Sequence, residues 1–394
     1  MSNDWQRVLL GDVAEEVTVG FVGSMASEYV DDGVVFLRSQ NVLPFRLDLT
    51  SAKRITPAFH QRLKKSALAP GDVVTVRTGT PGATAVIPES LSVANCADLV
   101  ITRAGNSVDP RWLSYYINGA AAGFVSSRLV GAVQQHFNVG AAKEMELLLP
   151  SLREQRAIAS MLGALDDKIE SNRQAILITD ELVRSRFNLM FNISQTPNGV
   201  PLSDLLGVNS KRRLAKGVKS TYVGMSNLPE FSAEVLSWES REFRSGQRFV
   251  NGDVLMARIT PCLQNGKTAV VDMLDEGEVG WGSTEYIVLS PAGRFSTPWI
   301  YSLVRNEEIR EWAIRRMTGS SGRQRFQATG FEEYRVPRPA DEALSEFNAF
   351  AEPLFSRMTH LRDEIRHLVA LRDALIPELL SGRLRLGEAQ EVAG

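Results

Sequence analysis

The chain has 394 residues, 44% of them hydrophobic and 23% charged, the balance of a soluble globular protein with room for two or three domains. A formal net charge of −2 gives no overall basicity to announce a nucleic-acid partner, although local patches can hide in a neutral sum. The opening MSNDWQRVLLGDV has no signal-peptide pattern and no apolar run approaches the roughly 18 residues of a membrane span. Cys96 and Cys262 stand far apart without CxxC neighbours, so a reducing cytoplasm fits, with neither a disulfide framework nor a zinc knuckle.

In chain order, residues 1–150 read as a mixed, strand-rich domain. Short β-branched runs with turn signals, such as PGDVVTVRTGTPGATAVIP at Pro70, predict strands. Around Trp112 the run RWLSYYINGAAAGFV turns helical. Residues 151–192 predict one long helix, with apolar side chains at Ile158, Leu162, Leu165, Ile169, Ile176, Val183 and Met190, the steps of three and four that make a coiled-coil seam. Residues 193–339 read as a second mixed domain, with NGDVLMARIT at Asn251 as strand and PWIYSLVRNEEIREWAIRRM at Pro298 as helix. Residues 340–382 predict a second long helix whose seam includes Leu354, Leu361, Leu368 and Leu375, and residues 383–394 are a tail. Pro353, inside that second helix, is expected to kink or restart it.

The second half repeats the first. LLGDVAEE at Leu9 has its counterpart in PLSDLLGV at Pro201, VFLRSQNV at Val35 in TYVGMSNL at Thr221, and DPRWLSYY at Asp109 in STPWIYSL at Ser296. Arg77 thereby aligns with Arg258, and GAVQQHF at Gly131 parallels GSSGRQRF at Gly319 with one residue inserted. The long helices align at a constant offset, Leu162 with Leu354 and Ile169 with Leu361. Two related helices, each with one apolar stripe to bury, predict an antiparallel pair, with each helix folding onto its own domain as the alternative. The expected fold is therefore α+β: two similar mixed domains separated by an antiparallel pair of coiled-coil helices, with pseudo-twofold symmetry. About 35 helical residues span about 50 Å, on the order of 15 base pairs of duplex DNA.

Catalytic patterns are missing. PCLQNGKTAVV at Pro261 lacks the first glycine of a phosphate loop, there is no GxGxxG and no (D/N)PP(Y/F), and the four histidines form no HxH or HExxH group. Local charge points elsewhere. NSKRRLAKGVK gathers Lys211, Arg212, Arg213, Lys216 and Lys219 without an acid, and Arg305, Arg310, Arg315, Arg316, Arg323 and Arg325 cluster further on. Arginine can bridge guanine O6 and N7, and glutamine or asparagine adenine N6 and N7, while lysine serves phosphates. Candidate DNA-contacting residues recur in both halves: Arg38, Ser39, Gln40 and Asn41 with Ser226 and Asn227; Arg77, Thr78 and Thr80 with Arg258 and Thr260; Gln134, Gln135 and His136 with Arg323, Gln324 and Arg325.

These stretches, in this order and twice over, resemble the specificity subunits of type I restriction-modification systems. The likeness rests on WQRVLLGDVAEEV and VPLSDLLGV, on PGDVVTVRTG and NGDVLMARIT, on LLLPSLREQRAIASMLGALDDKIE, and on LRDALIPELLSGRLRL. It covers nearly the whole chain, with one departure: Phe347 stands where the first half has Gln155. The resemblance implies two target-recognition domains, each reading one half of an interrupted site in double-stranded DNA. The helix pair, through Ile158, Leu162, Leu165, Ile169, Leu354, Leu361, Leu368 and Leu375, would fix the spacing and dock two modification subunits. Those subunits would bind S-adenosylmethionine and methylate adenine, and restriction subunits using ATP and Mg would join to cleave. The chain itself would be non-catalytic, with no cofactor and no metal. The rival reading is a two-headed scaffold for proteins or another polymer, with the coiled coil as spacer.

Overall fold

The structure is a computed structural model that describes residues 5–129, 136–320 and 322–384. The chain divides into two compact units, Met1–Ser171 with Glu364–Gly394, and Asn172–Asp363. The first unit holds a four-stranded antiparallel sheet in the order Thr84–Val86, Val73–Val76, Leu99–Ala104, Ala14–Val19. A second sheet runs Tyr29–Val30, Lys53–Ile55, Val34–Leu37, Ala94–Cys96, Ala67–Leu68, and there Val34–Leu37 and Ala94–Cys96 are parallel. A two-stranded ribbon joins Gln6–Leu9 to Glu146–Leu149.

The second unit has the same plan. Its antiparallel sheet runs Thr268–Val270, Val254–Ala257, Tyr286–Ser290, Gly207–Val208. Its other sheet places Lys219–Val223 parallel to Gly280–Gly282, flanked by Glu239–Glu242 and Gln247–Phe249. The ribbon is Val200–Pro201 with Arg335–Val336. Apart from the extra edge strand Tyr29–Val30 in the first unit, strand order and the position of the parallel pair match between units, so the repeat read from sequence is a repeat of topology.

The GD motif before each central strand has a physical reason. Gly71 and Gly252 sit at φ +88° and +90°, a region that costs a side chain energy and glycine little. The following aspartate then turns back on the chain: Asp72 accepts from the Ala69 N–H at 2.9 Å, and Asp253 from the Val250 N–H at 2.9 Å. Each carboxylate is nearly buried, at 6% and 1% exposure, and each lies against an arginine, Arg103 at 3.7 Å and Arg212 at 3.1 Å. Burial pushes the Asp72 carboxyl above its ordinary value, opposed by the Ala69 N–H and the Arg103 charge.

The long helices run Leu152–Met190 and Asp341–Leu380. Neither is a domain of its own, because each lends one half to each unit. In the first unit Ile158, Ala159 and Leu162 pack with Leu375, Ile376 and Leu379 in one core, which also contains Trp112, Leu113 and Tyr116 from the helix Pro110–Asn118. In the second, Val183, Phe187 and Phe191 meet Leu344, Phe347 and Met358, together with Trp299 and Ile300 from the helix Thr297–Arg305. Helix pairing and docking onto the adjacent domain thus occur together; each stripe is wide enough for both, and burying each large apolar side chain contributes about 1.5–3 kcal/mol. Ion pairs flank the seams: Arg372 with Asp166 at 2.7 Å and Lys168 with Glu364 at 3.3 Å in the first unit, Arg186 with Glu346 in the second.

The second helix is continuous through Pro353, so it does not restart there as expected; one missing N–H is tolerated at a position whose side chain is exposed. The Gln155–Phe347 departure also resolves. Gln155, fully buried, accepts from the Asp109 N–H at 2.8 Å and donates to the Ser107 and Pro150 carbonyls at 2.9 Å each. Phe347 fills the same place with an aromatic cluster, its ring 5.9 Å from Phe187 and 5.4 Å from Phe191.

Candidate nucleic-acid interface

In the first unit, side chains far apart in sequence share one open cleft of about 490 Å³. Arg38, Ser39 and Gln40 form one wall, Thr78, Gly79 and Thr80 another, and Ala97 and Asp98 the floor. The first wall is a single 3-10 turn, Ser39–Asn41, closed when the Arg38 N–H donates to the Asn41 side-chain oxygen at 3.0 Å. The second unit builds the same turn at Met225–Asn227, with the Gly224 N–H donating to Asn227 at 2.8 Å. Gly79, at φ +92° with open space beside it, lets the opposite loop reverse at its tip.

Arg77 leaves the central strand beneath this cleft. Its Nη1 donates to Asp98 Oδ1 at 2.7 Å and its Nε to the Phe137 carbonyl at 3.2 Å, while Thr78 donates to the other Asp98 oxygen at 2.7 Å. Arg258 occupies the matching strand exit in the second unit. Its Nε meets Glu285 Oε2 at 3.2 Å, and Arg325 grips the same carboxylate through Nε at 2.9 Å and Nη2 at 2.8 Å. The bonds from Arg325, reinforced by those from Arg258, hold the Glu285 carboxyl below the usual glutamate range. The equivalence extends to the backbone: the Phe137 N–H donates to the Arg77 carbonyl, and the Phe326 N–H to the Arg258 carbonyl.

Among the candidates, Arg258, Thr260, Gln324 and Arg325 are brought together, since the Thr260 N–H donates to the Gln324 carbonyl at 3.0 Å and Arg325 bridges to Ile259. Thr260 Oγ1 accepts from Gln264 at 3.2 Å. Arg323 is exposed next to this group, and His136 stands in the first unit where the second has Arg325. Ser226, Lys211, Arg213, Lys216 and Lys219 are exposed. Gln134 and Gln135 lie outside the described residues.

Two candidates take structural roles instead. Asn41 is fully buried and spends its amide on the Asp48 carbonyl at 3.0 Å and Ser51 at 3.4 Å, so it shapes the wall without presenting an edge to a groove. Arg212 donates to both Asp253 oxygens, at 3.1 and 3.2 Å, and to Ser290 at 3.2 Å; it is the counter-charge of a buried acid. The neighbouring arginines are likewise engaged within the unit: Arg315 with Glu311, Arg316 with Glu333, and Arg310 with the Gln264 carbonyl. Arg305 and Arg310 lie 5.6 and 5.3 Å from the Phe231 ring centroid.

Sequence reading missed the acids. Asp98 and Glu285 fall immediately before aligned strands, at Leu99 and Tyr286, and an acid aligned across the repeat was the available signal. Ile158, Leu162, Ile169, Leu361 and Leu375 are buried, and Leu165, Leu354 and Leu368 half-buried, so they hold the chain's own helices. The exposed apolar stripe is Ile178, Leu182 and Leu189, at 66%, 50% and 83% exposure, with Leu177 beside it at 58%. Steps of four and seven put the first three on one helical face.

Comparison with known proteins agrees with this architecture. A family described as type I restriction modification DNA specificity domain matches residues 3–178. The EcoEI type I restriction enzyme specificity subunit of Escherichia coli is 28% identical over 166 residues, 41% of this chain and 27% of that one. The EcoAI specificity subunit of Escherichia coli is 31% identical over 108 residues, 27% of this chain and 18% of that one. The chain thus matches about a quarter or less of the length of these curated relatives. The crystal structure of a type I restriction-modification system S subunit from M. genitalium shares the fold over 96% of this chain and 97% of its own, with a TM-score of 0.59 at 14% identity. In its repeated domain plan, its two long helices and these matches, the chain is similar to the specificity subunits of type I restriction-modification systems, and its residues 3–178 match that DNA specificity domain.

Proposed function

We propose that this chain is the addressing component of a type I restriction-modification complex, each unit reading one half of a bipartite, interrupted site in duplex DNA. The observation that carries this reading is the recurrence, in both units, of an acid-paired arginine at the same strand exit and of the same asparagine-closed turn. Exposed arginine, amide and hydroxyl groups on such loops are the chemistry of base readout, and exposed lysines that of phosphate contact. The long helices set the spacing between half-sites, and the stripe of Ile178, Leu182 and Leu189 docks modification subunits, since exposed apolar faces on helices mark protein contacts. Methyl transfer with S-adenosylmethionine, and cleavage with ATP and Mg, belong to partner subunits in the cytoplasm; this chain turns nothing over.

Methylome sequencing of cells expressing the modification subunit with and without this chain tests the proposal. One interrupted motif carrying methyladenine in both halves, present only with the chain, is the expected result. An unchanged methylome from co-purifying proteins would overturn it.

A further inference from the structure

The two units differ at the matching strand exits of Arg77 and Arg258, and the difference is chemical. A guanidinium makes a bidentate contact with guanine only if two neighbouring N–H groups are free to point into the groove. Arg77 is held at two of its three nitrogens, Nη1 by Asp98 and Nε by the Phe137 carbonyl. Only Nη2 is without a partner among the described residues, so the Nη1–Nη2 edge that would face a guanine already carries a carboxylate at one end. Arg258 is held at Nε alone, by Glu285, and both terminal nitrogens lack a partner among the described residues. Arg325 is turned onto Glu285 through Nε and Nη2 and onto the Arg323 carbonyl through Nη1. It neutralises the acid and leaves the fork of Arg258 available. One carboxylate faces one guanidinium in the first unit and two in the second.

We propose that Asp98 and Glu285 are positioning residues for specificity: by choosing which nitrogens of Arg77 and Arg258 stay free, they make the second unit read a guanine bidentately and keep Arg77 from doing so in the first. The inference rests on the DNA-reading function proposed above. Asp98 withholds the fork by occupying Nη1 while its second oxygen is fixed by Thr78. Glu285 binds Arg258 at Nε and so leaves both of its terminal nitrogens without a partner among the described residues. Replacing either acid with its amide keeps the shape but removes the charge that holds the guanidinium.

The test is selection of a randomised duplex DNA pool by the purified full chain and its Asp98→Asn, Asp98→Glu and Glu285→Gln variants, with sequencing of the bound fraction and a melting curve for each protein. Asp98→Asn is expected to raise guanine at one position of one half-site by about tenfold or more, leaving the other half unchanged. Asp98→Glu, which restores the carboxylate, should return toward the wild-type preference. Glu285→Gln should lower guanine preference by a similar factor at one position of the other half-site. If folded variants select the wild-type sequence with uniformly altered affinity, the acids are only braces and the proposal is overturned. Should the amide variants fail to fold, Arg77→Lys and Arg258→Lys decide: loss of guanine discrimination is expected for Arg258→Lys alone, and equal loss in both halves, or in neither, overturns the proposal. If the wild-type chain selects no sequence at all, the DNA-reading function fails first and takes this inference with it.

Discussion

Arg212 and Arg213 are adjacent in a basic run, yet the structure gives them opposite fates, and alanine substitution separates them. The Asp253 side chain is 1% exposed and that of Arg212 26%. Without Arg212, the carboxylate keeps the Val250 N–H at 2.9 Å but loses its counter-charge, and Ser290 loses a donor. Removing one partner of a buried pair costs about 3–5 kcal/mol; partial exposure of Arg212 reduces this to about 2–4 kcal/mol. For a unit of roughly 190 residues, each kcal/mol lowers the melting temperature by about 2–4 °C. Arg212→Ala should therefore lower the transition of the second unit by about 4–16 °C in calorimetry. Arg213→Ala, at an exposed position, should leave melting within about 1 °C and weaken DNA binding evenly across sequences, with a shallower salt dependence. A double variant, Arg212→Leu with Asp253→Asn, should recover part of the loss, because the uncompensated charge is gone. Unchanged melting in Arg212→Ala together with sequence-dependent loss of DNA binding would refute the argument and return Arg212 to the contact surface.

Glu285, whose carboxyl lies below its ordinary value through its bonds to Arg325 and Arg258, contributes stability that is present above the unfolded glutamate value and lost as pH falls through the lowered folded value. The melting difference between wild type and Glu285→Gln should thus be full at pH 7 and shrink progressively below about pH 4.5; a difference independent of pH would contradict the clamp. Gln155→Ala leaves the Asp109 N–H and two carbonyls without their partner, for an expected loss of about 3–5 kcal/mol in urea unfolding of the first unit, and a loss under about 1 kcal/mol would show that water replaces the amide. Ile178→Asp with Leu182→Asp, on an exposed face, should leave the melting temperature unchanged and abolish co-purification with the modification subunit. Retained co-purification would place docking elsewhere.

The local and repetitive features were legible from residues alone. Gly71 and Gly252, each followed by aspartate and a β-branched run, mark turns whose backbone only glycine adopts cheaply, and the run itself prescribes a strand. The apolar steps of three and four marked both long helices, Leu152–Met190 and Asp341–Leu380, because helical periodicity is a property of the chain. What lay beyond one chain's reading was which charges meet. Asp98 and Arg77 are 21 residues apart and Glu285 and Arg325 are 40 apart, and nothing in either stretch says which arginine will be clamped and which left free. Arg212 and Arg213 look alike in sequence; only the fold brings Asp253 and Ser290 to the first and water to the second. Likewise the seam leucines could be given to the helix pair or to a partner subunit, because a stripe records only that a side chain must be buried. The tertiary structure decides what buries it, and here the chain's own second helix does so first, leaving Ile178, Leu182 and Leu189 outside.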